Sequence, residues 1–398
     1  PIVQDRTTTQ STRIYPNPTN KSFGAFSGQA LSARNMELEA GRDMRLTGGL
    51  QASVNATLLA GRDIGLQGKV LPGVDLPAAS TVTAGNNLTM TAGRDVSLDR
   101  TSVITATSGS LTVTASAGNM DALGEVKALA GNVSLAAGND LLLSTLMTAR
   151  NITVAAGTDG SGSIAADIYT DIKALGASAG NITLSAGSTD GVISLVDSGV
   201  NAAAILTMNA TAGSLFAKGA PLQAASLVLN ARDNISGDAQ NSTAFLLAAS
   251  LLDARSTGAG HVKLKATQGL TASHILTAHG PIDVEVQGNL VAQDVQAGNG
   301  SVSLRTPLPT ANAKLVDAQG NPVRDMTLGS GNVTVAVIDT GYRPHIDLQQ
   351  MLPGYDFISA TAVANDGDGR DADASDPGDW AAAGACGNGS AATRSSWH

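Results

Sequence analysis

The nine residues AGNITLSAG, at positions 179–187, contain the pattern that decides the fold. Ile182 and Leu184 are apolar and flank the polar Thr183, so one face of this segment is expected to point inward and the other outward, as in a β-strand. Ala-Gly stands on both sides, and Asn181 directly precedes the strand. Glycine tolerates positive φ and asparagine bonds to nearby backbone, which predicts a bend at each end of a short strand.

The same phrase returns along most of the chain. It is written AGRDMRL at 40–46, AGRDIGL at 60–66, AGRDVSL at 92–98, AGNDLLL at 137–143 and AGNGSVSL at 297–304. Gly41 and Gly61 are 20 residues apart, and Gly93 and Gly118 are 25 apart. A period of this length holds two or three short strands with tight turns, which is typical of one coil of a parallel β-helix.

We therefore predict an all-β, right-handed parallel β-helix over residues 30–305, between a polar lead-in (1–29) and a linker (306–330). Inward Val, Leu and Ile should stack in ladders, and turn Asn or Asp should form side-chain hydrogen-bond ladders. Aromatic residues make up 3% and glycine occupies 45 positions, which favours stacked small-residue repeats over one bulky core. A β-sandwich or a β-propeller is the alternative fold, but propeller blades need longer sequence periods and usually carry aromatic markers.

Composition excludes several classes of protein. Asp and Glu number 33 against 24 Lys and Arg, and the resulting net charge of −9 opposes binding to nucleic acid. The longest apolar stretch, AFLLAASLL at 244–252, is about half as long as a membrane span. A single cysteine, Cys386, excludes an internal disulfide framework and leaves open a bond to an outside cysteine or a free thiol. The chain begins at Pro1 rather than Met, which leaves open a signal peptide upstream.

The repeats resemble the haemagglutinin-repeat β-helices of large bacterial exoproteins of the filamentous-haemagglutinin type. This resemblance covers roughly residues 30–305 and is carried by the recurring Ala-Gly-Asn/Asp strands. It implies a secreted or cell-surface stalk in a Gram-negative bacterium, often adhesive toward a host-surface or glycan target. It also implies export by a dedicated outer-membrane partner.

The repeat region itself shows no pattern of catalytic residues. Four Arg-Asp pairs fall in predicted turns without aromatic neighbours, which favours solvated turn residues over a carbohydrate site: Arg42-Asp43, Arg62-Asp63, Arg94-Asp95 and Arg232-Asp233. His261, His274 and His279 are scattered and lack metal-ligand spacing, so structural or solvent-facing roles are expected.

The Ala-Gly repeat pattern is replaced by a different sequence pattern near residue 331. VTVAVIDTG, at 333–341, is a continuous apolar run that ends in Asp339, Thr340 and Gly341. Continuous hydrophobicity indicates a strand buried on both faces, hence a parallel α/β sheet, and such sheets place active sites at the carboxyl ends of strands. A truncated α/β segment over residues 331–398 is therefore predicted to follow the β-helix.

In this segment, IDTG, GYRPHIDL, LPGYDF, NDGDGRDADASDPGDW and SSWH occur in an order that resembles subtilisin-like serine peptidases. The resemblance implies that Asp339 orients the catalytic histidine and that His398 is that histidine, the base for a serine nucleophile. The family's Gly-Thr-Ser-Met-Ala nucleophile motif is absent from the sequence. The resemblance thus implies a serine endopeptidase acting on peptides or proteins if the chain continues past His398, and an inactive chain as given.

Six aspartates crowd the same segment: Asp366, Asp368, Asp371, Asp373, Asp376 and Asp379. Like charges at this density are unfavourable unless they are solvated or bind a cation, and hard carboxylate oxygens suit Ca²⁺. The spacing resembles the start of an EF-hand loop, but Arg370 interrupts it and no Glu closes it. A calcium site and a solvated acidic loop both remain open, and no other cofactor is predicted.

Two functional hypotheses follow from the sequence. The first is a truncated, secreted subtilisin-like endopeptidase with a β-helix stalk. The second is a structural or adhesive surface protein whose peptidase fragment is vestigial or artefactually joined. No folding-assisting propeptide is recognisable between the repeats and Val333, which favours the second.

Overall fold

The computed structural model describes residues 31–68, 78–176 and 180–306, the backbone of short strands at 11–14, 22–23 and 315–316, and positions 354–357, 359, 370 and 372. The chain divides into two compact units, Pro1–Gly331 and Asn332–His398. The first unit contains a parallel β-solenoid of about 12 turns, and no helix occurs among the described residues.

The strands are short and follow one another closely. The first twelve are β1 (Ser11–Ile14), β2 (Ser22–Phe23), β3 (Leu31–Ala33), β4 (Asn35–Ala40), β5 (Asp43–Leu46), β6 (Gly49–Ala52), β7 (Ala56–Ala60), β8 (Ile64–Leu66), β9 (Thr81–Ala84), β10 (Leu88–Ala92), β11 (Val96–Leu98) and β12 (Val103–Ala106). The next twelve are β13 (Leu111–Ala115), β14 (Met120–Ala122), β15 (Glu125–Ala128), β16 (Val133–Ala137), β17 (Leu141–Leu143), β18 (Leu146–Ala149), β19 (Ile152–Ala155), β20 (Ile164–Ala166), β21 (Asp171–Ala174), β22 (Ile182–Ser185), β23 (Ile193–Val196) and β24 (Gly199–Ala202). The last are β25 (Ile205–Ala210), β26 (Leu215–Lys218), β27 (Leu222–Ala231), β28 (Ile235–Ser236), β29 (Phe245–Ser256), β30 (Val262–Ala266), β31 (Leu270–Thr277), β32 (Ile282–Val286), β33 (Leu290–Ala292), β34 (Val295–Gln296), β35 (Val302–Arg305) and β36 (Leu315–Val316).

Each coil contributes one strand to each of three parallel sheets. Strand β7 pairs with β4 and β10 on side 1, β8 pairs with β5 and β11 on side 2, and β9 pairs with β6 and β12 on side 3. Every one of these pairings is parallel, so the chain turns the same three corners in each coil. The predicted β-helix is confirmed, while its right-handed sense stays a prediction.

The core consists of inward side chains stacked in register from coil to coil. On side 1 one ladder runs through Leu38, Leu58, Met90, Val113, Leu135, Val154, Leu184, Met208, Leu229, Ala254, Ile275 and Val295. All twelve residues are buried, and burial alternates along the strands that carry them. The predicted aliphatic ladder is therefore confirmed, and it provides the main hydrophobic stabilisation.

Glycine is required where the corners of successive coils touch. A Cβ at Gly61 would lie 2.3 Å from the carbonyl oxygen of Gly41, and a Cβ at Gly93 would lie 2.2 Å from that of Gly61. Real Cβ atoms do not approach backbone oxygens this closely, so the recurring Ala-Gly phrase reflects the contact between coils rather than a turn alone.

Asparagine side chains link the corners that precede side 1. The backbone N–H of Asn55 donates to Oδ1 of Asn35 (3.3 Å), and that of Asn87 donates to Oδ1 of Asn55 (3.2 Å). The ladder continues through Ser110, Asn132, Asn151 and Asn181. A second ladder precedes side 2 and includes Asp63, Asp95, Asn119, Asp140 and Ser163. The predicted side-chain ladders are confirmed, and they satisfy corner N–H groups.

The coils after residue 222 are less regular. Strand β27 runs across two sides: Gln223 pairs with Asn201 on side 3, and Leu227 pairs with Leu206 on side 1. Strands β29 and β31 also lack the corner between these sides. Only positions 354–357, 359, 370 and 372 of the predicted α/β segment are described, so that segment stays a prediction.

Candidate functional site

The residues predicted to carry chemistry lie outside the described part of the chain. They are Asp339 and His398, the proposed catalytic pair, and Asp366, Asp368, Asp371, Asp373, Asp376 and Asp379, the proposed calcium ligands. Their roles stay predictions. Among the residues that the structure does describe, no group of three or more His, Cys, Asp or Glu side chains is placed to hold a metal ion.

The Arg-Asp pairs of the repeats form a charged ladder at the corner before side 2. Arg62 bonds to Asp43 of the preceding coil through two nitrogen–oxygen contacts of 2.7 and 2.6 Å, and Arg94 bonds to Asp63 at 2.9 and 2.7 Å. Each arginine also contacts the aspartate of its own coil, 3.1 Å from Arg62 to Asp63 and 2.8 Å from Arg94 to Asp95. These residues are turn residues, as predicted, but they also join successive coils.

Electrostatics at this ladder favour the ionised form of Asp43. Burial alone would raise the pKa of Asp43, but hydrogen bonds and charge from Arg62, with Arg42 nearby, hold that pKa below its ordinary value. The arginines remain one-third to one-half exposed, so each pair contributes little to the free energy of folding. The clearer role of these Arg-Asp pairs is to hold successive coils in register.

A shallow groove lies beside this ladder on side 2. Gly65 pairs with Arg45 of the preceding coil and with Ser97 of the following coil. Because glycine has no side chain, the outer surface is indented at this position, and the indentation forms the groove. The carboxylates at its edge, Asp43 and Asp63, are already paired with arginines. No aromatic ring lines the groove, so nothing there offers a stacking surface for a sugar.

A second charged network lies on side 1 of the later coils. Asp253 receives two hydrogen bonds from Arg255 (2.7 and 2.9 Å) and lies 3.2 Å from Nδ1 of His274 on the next coil. Hydrogen bonding to Arg255 lowers the pKa of Asp253, burial opposes this, and the charges of Arg255 and His274 add to the lowering. The pairing register shifts between Leu252 and Asp253, which aligns Asp253 with His274.

An arginine and a tyrosine bridge the corner between sides 2 and 3. The guanidinium carbon of Arg100 lies 4.4 Å from the ring centre of Tyr169, and its Nη2 lies 3.7 Å from Oδ2 of Asp167. Leu142, Leu146 and Ile168 are exposed in the neighbouring coils. Sequence reasoning missed this cluster because residues 100 and 169 become neighbours only when the coils stack.

No long apolar helix of the kind that crosses a membrane is found in the described residues. The charged side chains described above pair mainly with one another. Several of these pairs join successive coils, as Arg62 with Asp43 and His274 with Asp253 do.

Comparison with known proteins gives two partial similarities. Over 78 residues, 19% of its length, the chain is 56% identical to a protein of Xanthomonas campestris pv. campestris named extracellular protease. Over 63 residues, 16% of its length, it is 49% identical to a protein of Dichelobacter nodosus named extracellular basic protease. The matched stretches span 13% and 10% of these two relatives. No family model and no solved structure matches the chain.

Proposed function

We propose that the chain is a secreted or cell-surface bacterial exoprotein in which a β-solenoid stalk is joined to part of a subtilisin-like serine endopeptidase. The observation that carries the proposal is the 56% identity over 78 residues to a protein named extracellular protease. Subtilisin-like motifs occur in residues 331–398 and not in the repeats, so we assign most of the similarity to that segment, whose length is 68 residues against the 78 matched. Peptides or proteins are the substrate class.

The proposed roles follow from the chemistry of acyl transfer. His398 takes the proton of a serine hydroxyl, and Asp339 fixes the tautomer of the imidazole and stabilises its cation. Since the sequence lacks the Gly-Thr-Ser-Met-Ala motif, these 398 residues are expected to be inert toward casein and toward serine-directed fluorophosphonate probes.

A segment exchange tests these roles directly. The matching stretch of the Xanthomonas extracellular protease is replaced by residues 332–398 of this chain, and casein hydrolysis is measured. We expect an active chimera that loses several orders of magnitude in kcat/KM on Asp339→Asn or His398→Ala, because the nucleophile loses its oriented base. Gln349→Ala is the control and should keep the chimera's activity. A folded chimera without activity, or activity that survives both substitutions, contradicts the proposal.

We also propose that the acidic stretch between Asp366 and Asp379 binds Ca²⁺, because six carboxylates there need a cation or solvent to offset their repulsion. Calorimetric titration of the whole chain with calcium should show saturable binding that Asp366→Asn with Asp368→Asn abolishes. Absence of binding at millimolar calcium leaves a solvated loop.

The second candidate function is a structural or adhesive surface protein with a vestigial peptidase fragment. The observation favouring it is that the described charged clusters of the solenoid pair internally and link its coils. The same chimera distinguishes the two, because a vestigial fragment would not restore casein hydrolysis. Saturable binding of the chain to glycans or host-cell surfaces would support adhesion, and an outer-membrane partner would then export it.

A further inference from the structure

Side 2 carries an insertion between β28 and β29 that the next coil lacks. Ile235 pairs with Val262 and Phe245 pairs with Leu264 on the uninterrupted strand β30, so residues 237–244 form an eight-residue loop that leaves and re-enters the side-2 strand. Asn241 in this loop has a φ of 54°, in the left-handed region. We call residues 237–244, where the interrupted strand turns back on itself, the corner loop.

The corner loop is closed internally by one carboxylate. Asp238 accepts hydrogen bonds from the N–H of Ser242 (2.9 Å), the hydroxyl of Ser242 (2.5 Å) and the hydroxyl of Thr243 (2.7 Å). The side-chain bonds from Ser242 and Thr243 hold the pKa of Asp238 far below its ordinary value. Mild acid therefore leaves this turn ionised and intact.

The corner loop covers part of the outer face of side 2. Ser236 follows the inward Ile235 and so points outward, yet it is completely buried. Lys263 on the next coil donates from Nζ to the carbonyl oxygens of Asn241 (3.0 Å) and Ser242 (3.1 Å). The loop thus lies against the outward side chains of β30 and is tied to them by one ammonium group.

An imidazole whose Nε2 has no hydrogen-bond partner lies near the start of the same strand as Lys263. His261 precedes Lys263 by two residues on the same face, and its Nε2 is sealed from solvent with no hydrogen-bond partner. Oδ1 of Asn241, in the corner loop, is also sealed and unpartnered. A neutral imidazole tolerates such a position far better than an imidazolium does, because an unpaired buried charge is costly.

The charged groups around His261 oppose its protonation. Burial lowers the pKa of His261, Lys263 on its own strand lowers it further, and Asp283 on β32 acts in the opposite direction. Oδ1 of Asp283 lies 2.9 Å from Nη2 of Arg305 on β35, an ion pair that offsets its charge, but this sealed oxygen accepts no well-aligned hydrogen bond. Within the corner loop itself the ionisable group is Asp238, and its carboxylate accepts hydrogen bonds from Ser242 of the same loop.

We propose that the corner loop is a pH-sensitive flap, closed over His261 when the imidazole is neutral and released when it is protonated. Protonation places a second cation beside Lys263 under the flap, and the closed state loses stability. Because the folded-state pKa is below the unfolded value of about 6.5, the closed state is favoured above that pH and weakens as pH falls through the folded pKa. Opening uncovers Ser236 and Lys263 and gives side 2 a new surface in acid.

Hydrogen–deuterium exchange of the whole chain near pH 7.5 and near pH 5.5, corrected for intrinsic rates, tests the flap. We expect protection of peptides covering residues 236–246 to fall several-fold in acid, while peptides of β13 and β16 stay protected. His261→Gln should abolish that pH dependence. His279→Gln, at an exposed histidine, is the matched control and should retain it. Lys263→Gln should raise exchange at both pH values.

Two results overturn the proposal. One is the same acid-induced exchange in His261→Gln as in the wild type. The other uses the wild type alone and so does not depend on the folding of the variant. The midpoint of an NMR titration of the His261 ring is compared with the pH midpoint of exchange in the loop. Different midpoints would show that another group drives the opening.

Discussion

The coils of residues 88–155 and those of residues 222–286 share one core but have different outer surfaces. In the first region the outward residues of side 1 are mostly small hydroxyl residues or alanine, and corner asparagines carry the hydrogen-bond ladder. In the second region strands run through a corner, and the outer face of side 1 carries the ion pair of Arg255 and Asp253 (2.7 Å). Inward positions are buried in both regions, so variation is confined to the outer half of each strand.

This difference separates what specifies the fold from what can carry function. An inward leucine contacts the coils above and below, whereas an outward side chain contacts at most its register neighbours and solvent. The corner loop and the Asp253 network both occur in the second region. New chemistry on this solenoid is therefore expected where the outer surface departs from the repeat.

The largest expected effect is common to both regions. Leu135→Asp in the first and Leu264→Asp in the second should each lower the free energy of unfolding by several kcal/mol, because each buries an unpaired charge. Urea denaturation followed by circular dichroism measures the change. Leu142→Asp is the control, since that side chain is exposed, and should have little effect. A much smaller loss at Leu264 than at Leu135 would show that the two cores are not equivalent.

The corner glycines provide the next largest effect. A Cβ at Gly131 would lie 2.0 Å from the carbonyl oxygen of Gly109, so Gly131→Ala should destabilise the chain by about 1–3 kcal/mol through forced backbone shifts. At Gly41 no atom lies within 4 Å of the added Cβ. Gly41→Ala is the matched control and should be neutral in thermal unfolding. Equal losses at both positions would mean that the contact between coils does not determine the need for glycine.

Much of the solenoid could be predicted from the sequence because its interactions are local in the repeat. The alternation of Ile182, Thr183 and Leu184 reports burial directly, and the Ala-Gly-Asn phrase reports the corner. The use of glycine was predicted for its turn conformation, while at Gly61 the structure adds a close approach to Gly41. That contact depends on stacking and has no signal within a single repeat.

Contacts between coils were the part that the sequence could not supply. The pairing of Arg62 with Asp43 joins residues 19 positions apart, and Arg100 meets Tyr169 only across stacked corners. The recurrence of Arg-Asp at one place in each coil was the available signal for the first, and no repeat marks the second. Asp339 and His398 lie outside the described residues, and their assignment rests on motif order.

The smallest expected effect concerns side 1, whose outer face carries an ion pair in the second region and hydroxyl or alanine side chains in the first. Asp253→Asn removes the negative charge and one of the two oxygens that contact Arg255 and His274, but Arg255 is about two-fifths exposed, so the expected loss near pH 7 is about 1 kcal/mol or less. Asp121→Asn, at an exposed position of the first region, is the control and should change nothing measurable. Chemical denaturation at low salt gives the comparison, and added salt should shrink the difference.

The pH dependence of that difference provides the sharper test. Arg255 holds the pKa of Asp253 below its unfolded value of about 3.9, so the ionised carboxylate stabilises the fold above that pH. As pH falls through the lowered pKa, the carboxylate is protonated and the stabilisation disappears. The gap in unfolding free energy between wild type and Asp253→Asn should therefore be present near neutrality and close in strong acid. A gap that is constant with pH would mean that the substitution acts through packing, and the charged surface of the later coils would then contribute no more to folding than the hydroxyl-rich surface of the earlier ones.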